Sequence, residues 1–107
     1  MHPHEVPTVH LEDLPVNAIL LDVREDDEWA AGHIAGAVHI PMNQVPQHAT
    51  SRPEVFAAQA PLVVVCAMGS RSAQVTAWLV HNGIEAENLE GGMTAWAAAG
   101  RPVVAGS

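Results

Sequence analysis

A single cysteine stands where three kinds of local structure meet. Leu62-Val-Val-Val-Cys66 is an apolar, β-branched run, Ala67-Met68-Gly69-Ser70 is a short turn containing glycine, and Ser72–Asn82 carries a helical pattern. A strand end, a tight loop and a helix start around one thiol bring backbone N–H groups and the positive end of a helix macrodipole to the sulfur. An unperturbed thiol has a pKa of about 8.5 and is mostly protonated near neutral pH. The helix dipole alone lowers this by about one unit or less. The loop amides and the guanidinium of Arg71 would have to supply more. A depression of about two units raises the thiolate fraction about twelvefold, while intrinsic nucleophilicity falls roughly six- to tenfold. Attack by Cys66 therefore gains little. Its departure as a leaving group gains more, so the loop favours chemistry in which a group is loaded onto the sulfur and then removed.

Other chemistries fit less well. Acyl transfer needs a base for the leaving amine, and no histidine lies next to Cys66 in the sequence. No second cysteine is present to resolve a disulfide, and a phosphate-cradling loop of the nucleotide type would need a lysine, of which there is none. Sulfur exchange needs none of these. The competing reading is an inert cysteine buried at a strand end, a common place for a free thiol. The local residues leave both readings open.

The remaining chemistry-bearing residues are few. The 107 residues carry a formal charge of −8, with four arginines as the only full cations. That balance argues against nucleic acid and against an anionic membrane surface, since both need clustered cations. One cysteine permits no internal disulfide and suits a reducing compartment. No apolar run approaches the ~20 residues of a membrane span. The first residues lack a signal-peptide pattern, so a cytoplasmic protein is expected. His2 and His4 could grip a metal, but a frayed polar tail explains them as well, and no cofactor or metal is expected. Asp26 to Glu28, with Glu25, reads as a solvated charge cluster. His33, between Gly32 and Ile34, reads as a histidine that pins a loop by bonding backbone, with a catalytic base as the alternative.

These residues need a scaffold. With 49% hydrophobic residues but one Phe and three Trp, the core must be mostly Val, Ile, Leu and Ala. Residues 1–7 read as a flexible arm and 8–107 as a single domain. Thr8–Leu11 suits a short edge strand, and Glu12–Leu14 a turn. Ala18–Arg24 contains four consecutive apolar residues, which suggests a strand buried on both faces of a parallel sheet. Asp26 or Asp27 would cap a helix over Glu28–Ala31 that Gly32 closes. Val38–Pro41 reads as a short strand, Asn43 as the cap of a brief helix over Gln44–His48, 49–54 as a surface loop and 55–59 as a helical turn. After the Cys66 loop, Val75, Trp78 and Leu79 share one helix face, with Gln74 and His81 outward and Asn82-Gly83 as a stop. Ile84–Leu89 gives a further strand, and Met93–Ala99 a helix with Trp96 inward. Strands alternating with helices give an α/β fold around a mostly parallel sheet.

Cys66-Ala-Met-Gly69-Ser-Arg71-Ser72 resembles the active-site loop of the rhodanese family of sulfurtransferases. Leu20-Leu-Asp22-Val-Arg24, then Trp29-x-x-x-His33-Ile-x-Gly36-Ala37 and Ile40-Pro41, resembles the family's N-terminal signature. Asn88-Leu-Glu-Gly91-Gly92-Met-x-x-Trp96, then Gly100-x-Pro102-Val103, resembles its C-terminal one. The resemblance implies a central five-stranded parallel sheet with helices on both faces. It implies that Cys66 carries a persulfide, ringed by the amides of residues 67–71, so that Ala67, Met68, Gly69, Ser70, Arg71 and Ser72 form the binding loop. Asp22 and Arg24 would support the loop, and His33 the preceding turn. The implied activity moves sulfane sulfur from thiosulfate, a polysulfide or a persulfide to cyanide or a thiol, with a protein as a further class of acceptor. The C-x4-R spacing matches the sulfurtransferases; the related cell-cycle phosphatases have one residue more. Ala35 stands where proline is common. Ala67, Met68 and Ser70 lack the added basic residue frequent in thiosulfate-using members. An apolar Met68 at the loop rim also suits a protein-directed persulfide carrier or redox module.

Overall fold

The computed structural model describes residues 6–51, 56 and 59–106. Strands β1 (Thr8–Val9), β2 (Ile19–Asp22), β3 (Val38–His39), β4 (Leu62–Val65) and β5 (Glu87–Leu89) form one parallel sheet in the order β1-β5-β4-β2-β3. The helices are α1 (Asp26–Ala31), α2 (Val45–Ser51), α3 (Ser70–His81) and α4 (Gly92–Ala98). Single 3-10 turns cover Leu11–Asp13 and Met42–Gln44. Among the described residues, no helix is long and apolar enough to cross a membrane.

The sheet has a core on each face, which is why β4 is apolar at every position. Leu62 and Val64 pack with Leu21, Ile40, Val45, Val75 and Leu79 on one side. Val63 and Val65 pack with Val9, Ile34, Leu89, Met93 and Trp96 on the other. Each such side chain contributes roughly 1.5–3 kcal/mol when fully buried. Strand alternation carries Cys66 onto the α3 side.

The strand order fixes where a site can form. From β2 the chain moves to β3 on one flank, whereas from β4 it moves to β5 on the other. The connections therefore diverge between β2 and β4, which pair directly from Ile19↔Leu62 to Asp22↔Val65. In open parallel sheets such a divergence leaves a crevice at the carboxyl ends of the strands. Asp22 and Arg24 leave β2 there, and Cys66 leaves β4 beside them.

Several boundaries differ from the sequence reading. The N-cap of α1 is Glu25 rather than Asp26 or Asp27. Glu28 stands three residues later, and its carboxylate accepts from the Glu25 N–H at 3.0 Å, as in a capping box. Asn43, the expected cap, instead lies inside the 3-10 turn that follows Pro41. Helix α2 starts at Val45, with Pro46 in its first turn, where a missing N–H costs no hydrogen bond. It runs to Ser51, so the start of the expected loop 49–54 is helical. The rest of that loop lies outside the described residues, as do 55, 57 and 58 of the expected helical turn. Residues 1–5, with His2 and His4, lie outside them too, whereas the carbonyl of Pro7 accepts from the Asn88 N–H at 2.8 Å.

Candidate active site

Helix α3 begins at Ser70, two residues earlier than its apolar pattern suggests, because Gly69 takes the N-cap with φ +111°. That left-handed backbone is open to glycine and strained for other residues. It turns the chain tightly enough for the Gly69 N–H to point back at Cys66, with 3.1 Å between N and Sγ. One helical turn on, Ser72 Oγ lies 3.2 Å from the same sulfur. Cys66 and Ser72 are both buried. Burial pushes the thiol pKa up, but the Ser72 hydroxyl and the amides of Ser72, Gly69 and Met68 outweigh it, and the net shift is downward.

A second helix start holds the loop from the opposite side. The Met93 N–H donates to the Cys66 carbonyl at 2.9 Å, and the Thr94 N–H to the Ala67 carbonyl at 3.0 Å. Thr94 Oγ1 adds a bond to the Ala67 carbonyl at 3.1 Å. With those carbonyls engaged outward, the amides of Met68 and Gly69 are left to act on the sulfur. Gly92 makes the approach possible: a Cβ there would stand 2.2 Å from the Cys66 carbonyl oxygen.

Asp22 and Arg24 form a buried ion pair at the end of β2, with Arg24 Nη2 2.8 Å from Asp22 Oδ2. Arg24 also donates to the carbonyls of Gly32, at 2.7 Å, and Glu28, at 3.3 Å. The pair therefore fastens α1 to the sheet. His33 Nδ1 is bonded to the Trp29 carbonyl at 2.8 Å, and its ring stacks on the Trp29 indole at 3.6 Å. This is the loop-pinning role, and a bridge between His33 and Val104 ties the C-terminal segment to the same place.

Two residues of this site were not singled out in the sequence. Glu28 reads as part of a solvated acidic run, yet its carboxylate takes both Nη atoms of Arg71, at 2.7 and 2.9 Å. The Arg71 hydrogen bonds hold the Glu28 carboxyl down at about 2 and raise the guanidinium pKa in turn. Arg71 feels the charge of Cys66, but its hydrogen bonds go to Glu28 rather than to the sulfur. The other missed residue is Asn88 of β5, which accepts from the Ser72 hydroxyl and donates to the Gly69 carbonyl at 3.3 Å. Its only signal in the sequence was an amide beside the apolar Leu89 at the end of a short strand. Ala67 lies in the turn, Ser70 is the first residue of α3, and Met68, 73% exposed, stands at the loop rim. Among the described residues, no group of three or more His, Cys, Asp and Glu side chains could hold a metal.

A thiol with lowered pKa, ringed by donors at a strand end, suits reversible loading of the sulfur. Comparison with known proteins identifies the family. The sequence pattern of the rhodanese-like domain matches residues 9–99. This chain belongs to that family. It is 40% identical to the Bacillus subtilis protein YtwF over 83 residues, which cover 78% of this chain and 77% of the other. It is 36% identical over 90 residues to a sulfurtransferase of Allochromatium vinosum, covering 83% and 80%. The crystal structure of a rhodanese-related protein from Thermoplasma volcanium superposes with a TM-score of 0.79 at 31% identity, covering 92% of this chain and 97% of that one. The rhodanese-like family and its sulfurtransferase members thus account for the fold and for the class of chemistry.

Proposed function

We propose that Cys66 is the sulfur carrier of this rhodanese-type enzyme. The thiolate attacks the sulfane sulfur of a donor. A bond forms between Sγ and that sulfur, the donor's S–S bond breaks, and its electron pair leaves with the donor fragment, as sulfite if the donor is thiosulfate. Negative charge then sits on the outer sulfur of the persulfide. Cyanide or a thiolate attacks that outer atom, the Sγ–S bond breaks, and Cys66 departs as a thiolate. The observation that carries this reading is the convergence of the Gly69 amide and the Ser72 hydroxyl on Sγ. Their bonds stabilise the thiolate as nucleophile and again as leaving group.

A persulfide or polysulfide is the donor class we favour over thiosulfate. Ala67, Met68 and Ser70 bring no charge, the chain carries −8, and Arg71 is already engaged by Glu28. A thiol that must stay reduced suits a reducing compartment such as the cytoplasm. The test is a panel of donors followed by intact-mass detection. Adducts of one sulfur atom in the wild type and none in Cys66→Ser support the assignment. Adducts that persist in Cys66→Ser would overturn it.

The exposed Met68 favours a second reading, in which the acceptor is a protein that packs against the loop rim. In that case Met68→Ala slows transfer to the protein acceptor and leaves transfer to cyanide unchanged. Equal effects on both would count against it.

A further inference from the structure

Ser72 has one hydroxyl hydrogen and two acceptors within reach. Its Oγ lies 3.2 Å from Cys66 Sγ and is also hydrogen-bonded to Asn88 Oδ1. The Asn88 amide is oriented by Nδ2, which donates to the Gly69 carbonyl, so the oxygen is the end that meets Ser72. All three side chains are buried. A hydroxyl donates only once at a time.

We propose that Asn88 is a positioning residue that gives the Ser72 hydroxyl a second resting place, so that Ser72 turns between Asn88 Oδ1 and Cys66 Sγ as charge on the sulfur comes and goes. In the thiol, S–H donates to Ser72 Oγ and Ser72 donates to Asn88. When the proton leaves for solvent, Ser72 turns and donates to the thiolate, and Asn88 Oδ1 gives up its donor. Resting on the persulfide reading above, loading moves the charge to the outer sulfur, and the hydroxyl swings back to Asn88. Asn88 therefore favours the forms of Cys66 that carry no charge on Sγ. Arg71 of α3 is the charged group beside the sulfur, and Glu28 of α1 neutralises it.

The pairing also explains why β5 tolerates an amide. Asn88 is opposite Val64 in the sheet, on the face that α3 covers. An unpaired amide would be costly to bury there. Its oxygen is held by Ser72 and its nitrogen by the loop, so the same residue that shares the hydroxyl also fixes Gly69.

The test is a thiol titration, read from alkylation rate against pH, in a double-mutant cycle. Ser72→Ala is expected to raise the Cys66 pKa by about one unit, the worth of a hydrogen bond to a charged group. Asn88→Leu, close in volume, and Asn88→Ala are expected to lower it by about half a unit, since Ser72 then has only the sulfur to serve. In the Ser72→Ala background, neither Asn88 change should lower the pKa, because loosening of Gly69 can only raise it. An equal shift with and without Ser72, or a raised pKa in both Asn88 variants, would overturn the proposal. A measurement on the unaltered fold decides the case if the Asn88 variants do not fold. The ¹³C shift of the Asn88 side-chain carbonyl should titrate with Cys66 in the wild type and stay flat in Ser72→Ala; a flat line in the wild type would refute the switch. These titrations need no sulfur donor, so they stand apart from the test of persulfide formation. With full ionisation, a half-unit drop in pKa should slow loading by roughly 1.6- to 1.8-fold and speed unloading.

Discussion

Helices α3 and α4 both begin at the Cys66 loop, and they spend their first amides differently. At α3 the N–H of Gly69, the N-cap, points at the sulfur. At α4 the N–H groups of Met93 and Thr94 bind the carbonyls of Cys66 and Ala67. One helix start acts on the reacting atom, while the other acts on the backbone that aims it. The comparison teaches that a ring of inward amides needs its carbonyls held outward by something else. Here a pair of glycines, Gly91 and Gly92, brings the second helix close enough to do so.

The largest expected effect is on the α4 side. Gly92→Ala puts a methyl 2.2 Å from the Cys66 carbonyl oxygen at a residue with φ +52°. We predict a loss on the order of 2–4 kcal/mol in urea unfolding, together with loss of sulfur transfer. Next comes Ser72→Ala on the α3 side, which should raise the thiol pKa and, by leaving the buried Asn88 oxygen without its donor, cost about 1–2 kcal/mol of stability. If Gly92→Ala shifted only the pKa, or Ser72→Ala only the stability, the division of labour would be wrong.

The Glu28–Arg71 pair sharpens the comparison from outside the loop. The Glu28 carboxyl is depressed from 4.5 to about 2, so the pair's contribution is present above the unfolded pKa and is lost as pH falls toward 2. Glu28→Gln should therefore be less stable than the wild type near neutral pH, with the two curves converging below about pH 3. The same change frees the Arg71 cation, and turnover with thiosulfate should rise relative to turnover with a persulfide donor. An unchanged donor ratio would remove Arg71 from the account of specificity. The smallest effect is expected from Thr94→Val, which deletes one exposed side-chain bond to Ala67 and should cost about 0.5–1 kcal/mol with no change in the thiol pKa.

The sheet was legible because buried parallel strands leave continuous apolar runs, as at Leu62–Val65 and Ile19–Leu21. The same continuity hides direction. With both faces of β4 apolar, the run cannot say which way Cys66 points; only packing against α3 settles that. The loop residues were legible from spacing. Glu28 was not, because its partner lies 43 residues away and an acidic run usually faces solvent. Asn88 was visible as part of a motif, but its contact with Ser72 depends on the register that sets Val64 opposite it. The α1 cap was misplaced by a residue because the acids Glu25 to Glu28 all suit a first turn, and the reach of Glu28 back to Glu25 decided between them.

Treating the reduced protein with a polysulfide, removing the excess and weighing the intact chain puts the central claim to its plainest trial. The account predicts a gain of one sulfur atom, carried by the peptide that contains Cys66 and discharged when cyanide is added. A chain that gains no mass, or holds the added sulfur against cyanide, would contradict it.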